Sequence, residues 1–598
     1  MKKIISIFIP AIILFVMPSC NDDFLDRTPE TSIGKENFFN SEADLNLYIN
    51  NLYNFQGWGM YISDLATDNS ATTGNTEIKS IMTGNASSQT VTGGWNWGQL
   101  RTINFFLENF EEADISVETK NHFEGLARFF RARFYMDKVQ RYSDVPFYDF
   151  VLETDDEEAL TKATDPRTLV IEKIFEDYTF AVNNIFESQP SGGVNRAIAK
   201  AYMARHALYE GTFRKYHDEL NLQATANTYL QMAKDLAKEI MDSGDYSIYN
   251  TGNPSSDYAS IFVSPDLTGN SEVILANISI EGIKNSGSSA TIWGDYEVSP
   301  SKDLLQSYLM ADGSFYTNQA GYETKLFVEE FENRDNRLYQ SYSYPGYVLD
   351  RVDTYTTGNG IYIQRLTKNF SGYHQNKGMV NTVDPIQINE VDYPVLRYAE
   401  TLLIYAEAKA ELDELTQSDL DVSINLLRDR AGMPSMTINP TTESLQQARF
   451  PNVSNSNILE IRRERRVEMA FEGFRFDDLM RWKAGKLLEQ EPEGLYFPGL
   501  GKYDLTGDGV DDIILIDENE SVPGGGDKEQ NSLGVDLIYY RTGVQDSDAS
   551  VYLKNGNSGT VQTVKERGEF QEPKYYYRPI PATHVTVNPN LTQIFGWD

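Results

Sequence analysis

The stretch that most constrains this chain runs from Asn457 to Lys486, NILEIRRERRVEMAFEGFRFDDLMRWKAGK. It sets four arginines within the five positions 462–466. A free cationic helix of this kind would grip an anionic partner, but the neighbours argue otherwise. Glu460, Glu464, Glu468 and Glu472 recur at every fourth position and so share one stripe of a helix. Val467, Ala470, Phe471 and Phe474 fall at i, i+3, i+4 and i+7 and form a buried face beside it. From 460 to 486, eight basic residues stand against six acidic ones. A helix that binds phosphates does not interleave that many carboxylates with its arginines. The pattern predicts an ion-paired strut between packed helices, with Gly473 interrupting it at a bend or close contact.

A strut of this kind needs a large body around it. The chain has 598 residues, 40% of them hydrophobic and 12% aromatic, enough for a sizeable core and against disorder. Its 88 acidic and 52 basic side chains leave a net charge of −36. That balance excludes nucleic acid as a main partner and electrostatic attachment to anionic lipid.

The first residues read as a targeting segment. Lys2 and Lys3 precede an apolar run, Ile4 to Met17, too short to cross a bilayer but of signal-peptide length. It ends at Met17-Pro18-Ser19-Cys20, a loose lipobox, and Cys20 is the sole cysteine of the chain. Residues 1–19 are expected to be a lipoprotein signal peptide, Cys20 the lipidation site and 20–34 a tether. A plain secretory signal with an incidental cysteine is the alternative.

From there to about 245 the chain reads as helical. Segments 43–55, 97–110 and 121–142 carry apolar residues at helical spacing, with Phe123, Leu126, Ala127, Phe130 and Phe134 as one core stripe. Segments 195–211 and 229–246 form a pair. Ala197, Ala201, Ala204 and Ala207 permit close approach, and Gly211 and Gly244 are expected to close the two helices. Alanine-rich pairs of this type are typical of tetratricopeptide repeats. A second pair is predicted at 393–412 and 421–433. The intervals of about 250–390 and 490–570 are rich in Ser, Asn, Gly, Thr and Tyr and read as long excursions with short strands. The fold class expected is therefore mainly α: one domain, 35–598, in which a helical scaffold carries these two excursions.

Catalytic signatures are missing. The five histidines show no metal-ligand spacing, and no nucleophile elbow, P-loop or dinucleotide fingerprint occurs. The chain is accordingly read as a non-enzyme that requires no cofactor. One loop, YDLTGDGVDDIIL (503–515), resembles a cation site. Asp504, Thr506 and Asp508 stand at positions 1, 3 and 5, the Val510 carbonyl at 7 and Asp512 at 9, an oxygen array suited to structural Ca²⁺. The twelfth-position glutamate is replaced by Leu515, and an ion-free Asx-rich turn is the alternative.

IRRERRVEMAFEGFRFDDLMRW resembles the signature of the SusD/RagB family of Bacteroidetes outer-membrane lipoproteins. GLARFFRARFYMDKVQRYSDVPFY (125–148), FENRDNRL (331–338), YPVLRYAETLLIYAEAKAEL, LLRDRAGM and the ending RPIPATHVTVNPNLTQIFGWD are similar to further family motifs, in the family's order. The resemblance covers 20–598. It implies a superhelix of tetratricopeptide-like helix pairs. It also implies a non-catalytic, lipid-anchored outer-membrane protein facing the cell exterior. Such a protein binds oligosaccharide or polysaccharide and passes it to a SusC-like TonB-dependent transporter. A peptide-binding or assembly-only subunit of such a complex is the alternative. Glycan-contact candidates are the loop aromatics Trp58, Trp95, Trp293, Tyr296 and Tyr373, with Asp68 and Asn69 at a position where the family often approaches ligand. Core or interface packing is the competing role for each aromatic. Trp97, Trp482 and Trp597 are assigned to the fold.

Overall fold

The computed structural model describes residues 39–71, 76–286, 298–350, 360–382, 390–565 and 568–597. The expected lipidation site, Cys20, and the signal and tether segments lie outside them. The scaffold helices are α1 (Glu42–Asn50), α2 (Gly98–Asn109), α3 (Val117–Tyr142), α4 (Arg167–Asn184), α5 (Arg196–Tyr216), α6 (Ala226–Ser243), α7 (Tyr398–Glu411), α8 (Ile424–Arg430), α9 (Ser456–Glu468) and α10 (Arg475–Arg481). Their starts follow from capping residues. The Ser116 hydroxyl accepts the Thr119 amide ahead of α3, and the Asn195 side chain accepts the Ile198 amide ahead of α5.

Helices α3 and α4 pack as one antiparallel pair and α5 and α6 as the next, the predicted pair 195–246 among them. The stripe Phe123, Leu126, Ala127, Phe130 and Phe134 is buried in the scaffold core, as its spacing requires. Gly244 closes α6 in the left-handed region, with φ 73°. Gly211 does not end α5, which runs on to Tyr216. It marks instead the close approach of α6, where an added Cβ would lie 2.9 Å from the Leu230 amide nitrogen. The second predicted pair is also altered. Segment 421–433 yields only the two turns of α8, and the most extensive partner of α7 is α6, with α9 next.

The strands lie mostly in the excursions: β1 (Ser70–Ala71), β2 (Val273–Asn277), β3 (Ser299–Pro300), β4 (Tyr393–Arg397), β5 (Gly501–Tyr503), β6 (Ile513–Asp517), β7 (Ile538–Gly543) and β8 (Val551–Tyr552), with β1 and β4 outside them. β1 pairs with β3 and β2 with β4, both antiparallel, stitching distant chain segments to the scaffold. β5 to β8 form one sheet in chain order, antiparallel at β5–β6 and parallel thereafter.

The predicted strut occupies the junction. α9 ends at Glu468; Phe471 and Gly473 have φ of 62° and 85°, so the chain turns sharply before α10 begins. Ile458, Leu459 and Ile461 belong to the scaffold core, whereas Val467, Ala470 and Phe471 belong to a second core beneath the four-stranded sheet. The arginines are buried rather than displayed. Each glutamate of the stripe receives cations from different segments. Glu460 and Glu464 take Arg428, Glu464 and Glu468 take Arg337, Glu468 takes Arg397 and Arg430, and Glu472 takes Arg397 and Lys377. Arg462 lies 4.5 Å over the Trp482 ring, which is buried like Trp597. Charges taken this far from water persist only when paired on several sides. The spine therefore locks α8, α9, β4 and the Arg334–Arg337 turn into one arrangement.

Candidate functional site

Trp58 opens a short 3₁₀ helix, Trp58–Ala66, whose inner side buries Met60, Tyr61 and Asp64. The loop ahead of it is pinned by Asn277 at the end of β2, whose amide donates to the Phe55 and Gln56 carbonyls at 3.1 and 3.0 Å. Trp58 itself is half-buried against a cluster containing Tyr61, Tyr258, Phe262, Val298 and Tyr393. Around this helix the loop excursions come together. β1 pairs with β3, the Tyr393 hydroxyl donates to the Ser286 carbonyl at 2.7 Å, and Gly378 sits against the Tyr61 ring. The Asn381 amide donates to the Val348 carbonyl at 2.8 Å. Trp293 and Tyr296 lie outside the described residues, whose chain ends at Ser286 and resumes at Val298 beside this cluster.

Four other sequence candidates prove to be internal. The Asp68 carboxylate is claimed by Arg466 and Arg475, at 3.2 and 2.7 Å, and the Asn69 amide oxygen accepts Arg466 Nε at 2.8 Å. Burial alone would raise the Asp68 pKa, but the two guanidiniums hold it far below the usual carboxylate range. Trp95 is buried edge-on between Trp97 and Tyr142, with ring centroids 5.3 and 4.8 Å away. Tyr373 is fully buried and donates to Glu330 at 2.6 Å. Asp68, Asn69, Trp95 and Tyr373 therefore build the fold beneath the loop face rather than offering groups to a ligand. A motif that approaches ligand and a motif that anchors the loop beneath it share the same residue types, which is why sequence alone could not part them.

The loop predicted as a cation site closes on its own backbone. Asp504 accepts the Gly507 and Gly509 amides at 2.6 and 2.8 Å, Asp508 accepts the Val510 amide at 2.9 Å, and Asp512 accepts those of Leu505 and Thr506 at 2.8 Å each. Among the described residues no group of three or more His, Cys, Asp or Glu side chains is arranged to hold a metal ion.

One cleft in the scaffold was not foreseen. A cleft of about 280 Å³ runs between α3, α5, α7 and the turn from α9 to α10. Beyond Asp137, Gln140, Tyr209 and Asp477 a second hollow of about 270 Å³ shares those walls and reaches Arg141 and Arg578. The guanidiniums around it are engaged: Arg205 pairs with Glu400 at 2.6 Å, Arg481 with Glu407 at 2.5 Å and Arg465 with Asp478 at 2.9 Å. Arg133 stacks between Phe55 and Tyr202, 4.7 and 4.8 Å from their centroids. Asp137 and Asp477 are exposed side chains at the cleft, with protein packed round them. Burial, then Asp478 and Asp137, push Asp477 up to about 7, and burial raises Asp137 as well. The only sequence signal was the i, i+4 spacing of Arg133 and Asp137, which predicts an ion pair that does not form.

Known proteins resemble the chain over most of its length. The model of the SusD family matches residues 260–597, more than half of the chain. SusD-like protein P2 of Formosa agariphila is 25% identical over 506 residues, covering 81% of this chain and 92% of that protein. SusD-like protein P25 of the same organism is 24% identical, covering 80% and 90%. A SusD-like carbohydrate-binding protein of Bacteroides fragilis superposes with a TM-score of 0.65 at 22% identity, covering 93% of this chain and all of that one. A further SusD-like protein of that species gives 0.63 at 20% identity, over 95% and 100%. With its signature segment serving as the internal spine of a helical scaffold and its family model spanning the second half, this chain belongs to the SusD family.

Proposed function

We propose that the protein is a non-catalytic, surface-exposed glycan-binding lipoprotein. In this reading Cys20 carries the lipid, the outer membrane holds the anchor, and a SusC-like TonB-dependent transporter receives the captured oligosaccharide or polysaccharide. Membership of the SusD family carries the reading, and the superposable Bacteroides fragilis protein is itself described as carbohydrate-binding. Among the described residues no helix is long and apolar enough to cross a membrane, which is compatible with a lipid anchor.

The loop face around Trp58 is assigned as the glycan platform, and Trp293 and Tyr296 stay candidates for glycan contact from the sequence alone. Flat aromatic faces suit the C–H faces of sugars, and Trp58 is held half-open at a loop rather than sunk in a helix stripe. Affinity gels test it: the wild type is retarded by its cognate polysaccharide, and Trp58→Ala migrates faster than the wild type in the same gel. Unchanged migration removes Trp58 from the platform. Co-purification with a transporter without retardation by any polysaccharide favours the assembly-only alternative. Release of reducing sugar by the purified protein contradicts the non-catalytic assignment.

A further inference from the structure

The scaffold cleft shares Asn54 and Gln56 with the loop ahead of Trp58 but has a chemistry of its own. Asp137 and Asp477, exposed at the cleft, have no ion-pair or hydrogen-bond partner among the described residues. Asp137 has a cation one turn away on the same helix, and that cation is turned aside. Arg133 is sandwiched by Phe55 and Tyr202, and its guanidinium reaches only the Asn54 carbonyl, at 3.4 Å. The cleft also receives two tyrosines that are otherwise buried. Tyr202 and Tyr209 are each 4% exposed, and neither hydroxyl has a partner among the described residues. Both hydroxyls open onto the cleft, where water or a ligand can pair with them. The amides of Gln99 and Gln140 complete the wall.

We infer that this cleft is a second ligand site, which takes the primary ammonium group of a small ligand between Asp137 and Asp477. Two carboxylates with no internal counter-ion accept a cation, and an ammonium offers three donors to carboxylate, phenol and amide oxygens. The cleft admits a ligand of monosaccharide or amino-acid size. Arg133, one turn from Asp137, favours hydroxyl or carboxylate groups beside it over a second cation. The shared chemistry is the ammonium, carried by an amino sugar or by an alkylamine such as a lysine side chain.

Calorimetric titration of the full chain with glucosamine, butylamine and glucose tests the assignment. Heat is expected from the two amines and none beyond dilution from glucose at the same concentrations. Asp137→Asn and Asp477→Asn should each weaken the amines about tenfold or more, the worth of a charge-assisted hydrogen bond. Trp58→Ala should bind them as the wild type does, which separates this site from the glycan platform. Tighter glucosamine identifies the amino sugar, and tighter butylamine the alkylamine. Absence of amine heat with the wild type overturns the inference, as do aspartate variants that melt normally and bind amines undiminished.

Discussion

At the scale of the residue, one amino-acid type does opposite work in different places. Asp68 is an acid that the fold cannot lose. Replacing it with alanine leaves Arg466 and Arg475 buried without their shared carboxylate, and is expected to cost about 3–5 kcal/mol of stability. Chemical denaturation measures the loss, while the fraction still folded keeps its glycan retardation because Asp68 lies beneath the loop face. Asp477 is an acid the fold tolerates. It faces Arg133 and Asp137 from α3, Arg205 and Tyr209 from α5, and Arg465, Asp478 and Arg481 from its own segment. Burial first, then the two aspartates, raise it to about 7, well above the value near 4 of an unfolded chain. A carboxyl raised in this way destabilises the folded state when ionised, and the penalty is relieved as pH falls from 7 towards 4. Asp477→Asn is therefore expected to raise the melting temperature at pH 8 and to leave it unchanged at pH 4.5. Equal effects at both pH values would contradict the raised pKa.

At the scale of the element, helix periodicity was legible and helix ends only in part. The stripe on α3 and the alanines of α5 announced their partners because 3.6-residue spacing is a local property of the sequence. Gly211 misled because glycine serves two ends. It stops helices in the left-handed region, as Gly244 does, and it clears space for a crossing backbone, as Gly211 does with Leu230. Gly211→Val drives a branched side chain into the α6 backbone and is expected to destabilise by about 1–3 kcal/mol, read from thermal melts. Gly244→Ala acts only on a strained φ at an open position. The loop 504–512 poses the same difficulty, because an Asx-turn array and a calcium loop draw on the same residues. Asp504 and Asp512 each already accept two of its amides and Asp508 one, so millimolar calcium is expected to shift the melting temperature by less than about 1 °C. A shift of several degrees, abolished by Asp508→Ala, would establish the calcium loop.

At the scale of the whole molecule, the scaffold was readable because its signature is an internal spine. Interleaved Arg and Glu on one helix demand partners of opposite sign elsewhere, and Arg337, Arg397 and Arg430 supply them from motifs far apart in sequence. The cleft was not readable, since no pattern marks the carboxylates that are left without partners. The spine makes the global stability depend on acid. Burial would raise Glu468, but Arg430, Arg397 and Arg337 hold it far below the carboxylate range. Glu460, Glu407 and Glu210 are lowered in the same way, against their burial, by Arg463, Arg481 and Arg167 respectively with their neighbours. For a carboxyl depressed on folding, the stabilisation is present in full above the unfolded value near 4 and is lost as pH falls through the folded value. Each unit of depression is worth about 1.4 kcal/mol, so several such groups outweigh the opposite contribution of Asp477. The melting temperature is expected to be nearly level from pH 7.5 to 5.5 and to fall steeply below pH 4, as the glutamates protonate and leave the arginines buried and uncompensated. Retention of the neutral melting temperature at pH 3 would show that the spine is not ionised in the way its geometry requires.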